Sequence, residues 1–286
     1  SFTCHFAGKF MGESYDSRLP PRRWLKNYDT FSDPATAAVF KKFLSEGVET
    51  GVVKRMGRVG EVEPPHLVSP LLLETNPSTG KQRICHDLRM LNLWGDDEFD
   101  FSLPGLKVLP FILSKDSHFS TFDLKSGYHA VNIHPDSQKF FAFELFGVFY
   151  TYTVLGFGFS KSPWIFQQLM SCVTSFVNGY GACTSVYLDD FILGDNRPSA
   201  GAGLCRTCHP NGRPRANSFV MAVHAATSFL WLLFCAGLTV GWKKSSPTPH
   251  LRGKFLGLIY DSHMESLVVP QDKLVRFLEA SSFLLE

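Results

Sequence analysis

The 286-residue chain has no surplus of charge of either sign. Its 28 Lys and Arg face 26 Asp and Glu, a formal net charge of +2. Any surface that binds nucleic acid must therefore be basic locally rather than globally. A disulfide framework is also missing. The seven cysteines, Cys4, Cys85, Cys172, Cys183, Cys205, Cys208 and Cys235, are scattered and odd in number. That speaks against a stapled secreted fold and for an intracellular, reducing compartment, in cytoplasm or nucleus. The opening residues, Ser1 to Phe6, hold no initiator Met and no basic stretch followed by an apolar one, so no signal peptide is read there. The helix-like end, Gln271 to Glu286, stops without a cap, as in a segment of something longer. No internal repeat is visible. One stretch lacks charge altogether: Ala216 to Trp242 contains no Asp, Glu, Lys or Arg. It is long enough to cross a bilayer. Asn217, Ser218, His224, Thr227 and Ser228 dilute it, however, and leave only Phe229 to Leu238 strongly apolar. A helix buried on one face of a sheet is the better reading, with no membrane partner. Trp164 and Trp231 are then core residues, and His224 and Cys235 are packed.

What is present is organised around Ser185 to Leu193, where Asp189 and Asp190 interrupt an apolar, β-favouring run. The pattern predicts a β-hairpin with Leu188-Asp189-Asp190 at or beside its tip. Two carboxylates beside so much apolar surface repel each other and lose hydration unless a cation joins them, and hard oxygen ligands suit Mg²⁺. For an isolated pair, an exposed turn is the commoner explanation. Further carboxylates and phosphate-handling groups elsewhere decide between the two.

Along the chain, Pro34 to Glu46 reads as a helix capped by Asp33 and ended by Gly47. Pro70–Glu74 and Lys81–Asp87 read as a hairpin that sets Lys81 and Arg83 on one basic face. Phe119–Leu124 is a strand ending in Asp123, with Tyr128 five residues beyond. The aromatic run Phe140–Val154 is a hairpin about Gly147. Leu155–Pro163 is a loop leading into a helix over Trp164–Val177, and Lys254–Tyr260 is a strand. Cys205-x-x-Cys208-His209 lies in a Gly/Pro/Arg-rich loop, 194–215. It lacks the second ligand pair that tetrahedral zinc requires, so no metal is read there.

These pieces together resemble a reverse transcriptase, collinearly from about Gly47 to Tyr260. Pro70 through Asn92, with Arg83 to Asn92 at its end, is similar to the family's fingers-hairpin motif, and Phe122 to Tyr128 to its first catalytic motif. Gly158 to Pro163 with Phe166-Gln167 resembles the nucleotide-binding loop and helix. Tyr187-Leu188-Asp189-Asp190 is like the signature catalytic turn. Gly237 to Lys244 and Phe255-Leu256-Gly257 look like the motifs that close the palm. The wording around them looks like long-terminal-repeat (gypsy-type) or DIRS-like retroelements.

The resemblance implies an α+β right-hand polymerase fold, with an antiparallel palm sheet backed by helices and the thumb largely missing. Residues 1–46 would form an N-terminal extension and lead-in helix, 47–265 the fingers and palm, and 266–286 the start of a thumb or connection. It further implies an RNA-directed DNA polymerase that adds deoxynucleotides from their triphosphates to a primer on an RNA or DNA template. Asp123, Asp189 and Asp190, with the carbonyl of Leu124, would hold two Mg²⁺ (or Mn²⁺) ions. Lys244 or Lys243 would protonate the leaving pyrophosphate, and Arg83, helped by Lys81, would clamp the triphosphate. Tyr128 would exclude a ribose 2′-hydroxyl. Phe157, Gly158, Gln167 and Tyr187 would complete the substrate contacts. Gly156 stands where the family usually has Pro, which should loosen that loop, and the family's Lys near Asn76 is absent. Two rivals share the residues: a catalytically inactive nucleic-acid-binding remnant and a viral RNA-dependent RNA polymerase. Survival of all three carboxylates with Arg83 and Tyr128 opposes the first. Leu188 and Tyr128, where such viral enzymes carry Gly and Asp, oppose the second.

Overall fold

A computed structural model describes residues 2–4, 20–28, 33–76, 80, 82–95, 101–179, 181–194 and 218–283. In chain order the elements begin with β1 (Phe2–Cys4), β2 (Arg23–Trp24), α1 (Pro34–Glu49), β3 (Val53–Arg58), β4 (Leu67–Val68), β5 (Leu71–Thr75), β6 (Gln82–His86) and α2 (Arg89–Asn92). Then come α3 (Leu109–Ile112), β7 (Phe119–Asp123), β8 (Val131–Ile133), β9 (Ala142–Leu145), β10 (Val148–Tyr152), α4 (Ser162–Gly179), β11 (Cys183–Tyr187) and β12 (Asp190–Gly194). The last are α5 (Ser218–Cys235), β13 (Ser246–His250), β14 (Arg252–Phe255), β15 (Leu258–Asp261), β16 (Ser266–Val268) and α6 (Gln271–Phe283). Internal contacts divide them into two units, Ser1–Phe101 with Tyr128–Phe166, and Ser102–Gly127 with Gln167–Glu286.

The first unit is built on a five-stranded sheet ordered β2-β4-β9-β10-β3, beside the hairpin β5–β6 and the parallel pair β1–β8. The expected aromatic hairpin forms, and Phe146-Gly147 is its turn, both residues at positive φ (52° and 73°). A two-residue turn of that hand matches the twist of its strands. Phe43 of α1 packs against Phe143 and Tyr152 of this sheet. Asp33 caps α1, its carboxylate accepting from Thr36 N–H at 2.9 Å. The helix does not stop at Gly47 but runs on to Glu49. Gly47 is buried there because a Cβ would come within 2.9 Å of Val53, so this glycine makes room for packing rather than breaking the helix.

In the second unit the antiparallel sheet is ordered β11-β12-β7-β13. Alternation sends Phe122 and Phe191 to the face that meets Phe229 of α5. Phe119 and Ile192, on the other face, join Leu109, Ile112, Leu113, Phe255 and Tyr260. Two sequence readings change here. Residues 254–260 are not one strand but most of the hairpin β14–β15, which turns at Leu256-Gly257 with φ of 47° and 78°. In α5 only the stripe Ala222, Ala225, Ala226, Phe229 and Leu233 is buried. Trp231 is 68% exposed, and His224 and Cys235 are exposed too, so none of the three is a core residue. Trp164 is half-buried. By length and composition alone α5 is apolar enough to cross a membrane. The Cys205–Cys208–His209 cluster and Lys81 lie outside the described residues.

Candidate active site

The catalytic-turn candidate is the hairpin β11–β12, in register from Cys183 opposite Gly194 to Tyr187 opposite Asp190. Two residues make the turn, Leu188 and Asp189. Leu188 sits at φ 55°, where a side chain with a Cβ is disfavoured and the surroundings must hold it. They do so from two sides. Leu188 N–H donates to Gln167 Oε1 at 2.9 Å, and Leu124 N–H donates to the carbonyl of Asp189 at 3.0 Å.

β7 lies beside β12 and pairs Asp123 directly with Asp190. Residues opposed in an antiparallel ladder share a face, so these two carboxylates project together, with Asp189 adjacent in the turn. Asp123 is buried, and the segment after Val240 wraps around it. Gly241 N–H donates to the Asp123 carbonyl at 2.7 Å, and Asp123 N–H donates to Ser245 Oγ at 3.0 Å. A Cβ on Gly241 would stand 2.5 Å from the Asp123 carboxylate, so only glycine allows this approach. The same segment delivers Lys244, whose Nζ donates to Asp123 Oδ1 at 2.7 Å. Of the two candidate lysines, Lys244 is the one in contact.

The electrostatics are those of crowded anions. Burial first, then the charges of Asp189 and Asp123, push the Asp190 carboxyl up to about 6. Burial likewise raises Asp189. The hydrogen bond to Asp123 raises the Lys244 ammonium. Among the described residues no three His, Cys, Asp or Glu side chains close around one point. Asp123 is instead turned onto Lys244, which supplies the positive charge. An all-oxygen set carrying surplus negative charge fits a hard divalent cation.

Other predicted residues lie in the first unit. Arg83 is exposed on β6, opposite Glu74. Tyr128 packs edge-on against Phe157 and Phe166, ring centroids 5.3 and 5.4 Å apart. Gly158 is at φ 106°, and a Cβ there would strike the His86 carbonyl at 2.0 Å. Side-chain hydrogen bonds tie the loop around it, Gly156 included. Asn92 Nδ2 donates to Gly158 O at 2.8 Å, and Asn92 Oδ1 accepts from Ser160 N–H at 2.9 Å. Ser162 Oγ adds a third tie to Gly156 O at 3.0 Å. Sequence reasoning assigned no role to Asn92, Ser162, Gly241 or Ser245. Asn92, Ser162 and Gly241 had a signal, since each lies within one of the family-like motifs; Ser245, one residue beyond Lys244, had none.

Tyr187 pairs with Asp190 and is half-buried, and Leu124 is buried beside Val240. Gln167 is buried, its amide spent on the hairpin backbone: besides accepting from Leu188, it donates to Val186 O at 3.1 Å.

Comparison with known proteins gives the same picture. A family model described as reverse transcriptase (RNA-dependent DNA polymerase) matches residues 75–260. The chain is 33% identical over 199 residues to the enzymatic polyprotein of Figwort mosaic virus, covering 66% of this chain and 29% of that protein. It is 29% identical over 137 residues to the retrovirus-related Pol polyprotein from transposon 412 of Drosophila melanogaster, covering 47% of this chain and 11% of that one. It thus spans less than a third of the length of either curated relative. Among solved structures, the foamy viral protease–reverse transcriptase in complex with double-stranded DNA superposes with a TM-score of 0.64 at 21% identity, covering 89% of this chain and 38% of that one. That likeness shows the fold, the α+β polymerase architecture.

Proposed function

This chain belongs to the reverse transcriptase (RNA-dependent DNA polymerase) family, and from that premise we propose that it extends a primer 3′-hydroxyl with deoxynucleotides on an RNA or DNA template. The observation that carries the reading is Asp123 opposite Asp190, with Asp189 held in the intervening turn and Lys244 on Asp123. Asp123, Asp189 and Asp190, with the Leu124 carbonyl, would hold two Mg²⁺ or Mn²⁺ ions, which when bound stabilise charge on the attacking and leaving oxygens of an in-line phosphoryl transfer. Lys244, kept protonated beside Asp123, is the proton donor for the departing pyrophosphate.

In the first unit, the roles follow the family resemblance. Arg83, together with Lys81, clamps the triphosphate by charge-assisted hydrogen bonds. Phe157 and Gly158 line the nucleotide side, and Tyr128 lies beneath the sugar, where its ring would clash with a ribose 2′-hydroxyl. The source we propose is a long-terminal-repeat or DIRS-like retroelement, supported by the similarity to a transposon Pol polyprotein.

The test is Asp189→Asn. Losing one ligand charge should cut primer extension by at least about a hundredfold without unfolding the protein. Extension within about tenfold of the parent, with native circular dichroism, would overturn the assignment.

A further inference from the structure

The helix α4 buries a helically spaced row, including Phe166, Gln167, Met170, Val173, Thr174 and Val177. Gln167 is 6% exposed and polar among apolar neighbours. A buried amide is costly unless its hydrogen bonds are made, so the groups it meets are where its role lies. Its Nε2 donates to Val186 O at 3.1 Å and its Oε1 accepts from Leu188 N–H at 2.9 Å. These two backbone groups flank Tyr187 at the end of β11, the edge strand of its sheet. A carbonyl and an N–H on either side of one residue are what the N–H and C=O of a single residue on a neighbouring strand engage in a parallel β-bridge. The Gln167 side chain therefore takes the place of a neighbouring strand at the edge next to the Leu188-Asp189 turn. Three helical turns on (178 − 167 = 11 residues), Asn178 holds the other end of β11. Its Oδ1 accepts from Thr184 N–H at 2.8 Å.

We infer that Gln167 is a positioning residue for Asp189, acting through the Leu188 amide, and not a nucleotide-pocket residue. The inference rests on the carboxylate reading above. Leu188 is at φ 55°, and the Gln167 acceptor is what its N–H meets there. Without that acceptor, Leu188 relaxes toward negative φ, and Asp189, the next residue, turns with it.

The test compares the full chain with Gln167→Met, similar in length but without the hydrogen bonds. Gln167→Glu, which keeps an acceptor for Leu188, is the second variant should Gln167→Met fold poorly. Asn178→Ser serves as the remote control. Three readouts are used: amide exchange of Leu188 in the metal-free protein, Mn²⁺ affinity, and nucleotide-addition kinetics. For Gln167→Met, Leu188 exchange should quicken about tenfold, the size of one hydrogen bond. Mn²⁺ should bind several-fold more weakly, and kcat should fall about tenfold or more with the deoxynucleotide KM within about twofold. Gln167→Glu should retain most of the Leu188 protection. Asn178→Ser should change exchange at Thr184 and leave kcat alone. Unchanged Leu188 exchange and Mn²⁺ affinity would overturn the inference, as would a raised KM at constant kcat, the mark of a pocket residue. A parent without polymerase activity would defeat the functional reading instead, while exchange and Mn²⁺ binding would still decide the role of Gln167.

Discussion

At the scale of single residues, Asp190 bears the cost of the arrangement. Its carboxyl is pushed up to about 6, against an ordinary value near 3.8. A carboxyl raised in the folded state favours folding fully below its unfolded pKa, and that contribution is lost as pH rises through about 6. In chelator, then, Asp190→Asn should raise the melting temperature by a few degrees at pH 7.5 and by little at pH 4. Thermal scans at the two pH values check this; an equal gain at both would show that charge crowding is not the cause. Tyr128 calls for a different comparison, because its ring packs on Phe157 and Phe166. Tyr128→Phe keeps both contacts and should barely change selectivity. Tyr128→Ala should lower the deoxynucleotide-to-ribonucleotide incorporation ratio by about two decades, the few kcal/mol of a built-in clash. If both substitutions leave that ratio unchanged, Tyr128 only packs the loop.

At the scale of elements, the loop from Gly156 to Lys161 is set by Asn92 rather than by its own stiffness. Each neutral hydrogen bond contributes about 0.5–1.5 kcal/mol, and Asn92 makes two to this loop. Asn92→Ala should therefore raise the deoxynucleotide KM roughly tenfold, and Gly156→Pro in the same chain should recover part of the loss by stiffening the loop. Steady-state kinetics on the single and double variants would show it, and a KM untouched by Asn92→Ala would refute it. The hairpin that carries the carboxylates was legible in the sequence because Asp189 and Asp190 break an apolar strand pattern, and so was the turn at Gly147. The turn at Leu256-Gly257 was not, since aliphatic residues on both sides read as one continuous strand. Gly47 looked like a helix stop, because sequence does not reveal that Val53 packs against it. Trp231 looked like core, because a charge-free helix gives no polar face from which to tell its buried stripe.

For the molecule as a whole, the carboxylates, Lys244 and Gln167 belong to one unit, while Arg83, Tyr128 and Asn92 belong to the other. Collinear motifs indicated the family and the carboxylate set. They marked Gln167 only as a substrate contact and could not reveal that its side chain meets the edge of a strand about twenty residues on. The most direct measurement is primer extension on an RNA template with Mg²⁺ and deoxynucleoside triphosphates, comparing the purified chain with Asp123→Asn. Template-dictated incorporation by the parent, absent from Asp123→Asn, is the predicted result. A parent that binds primer–template yet adds no nucleotide on RNA or on DNA would contradict it.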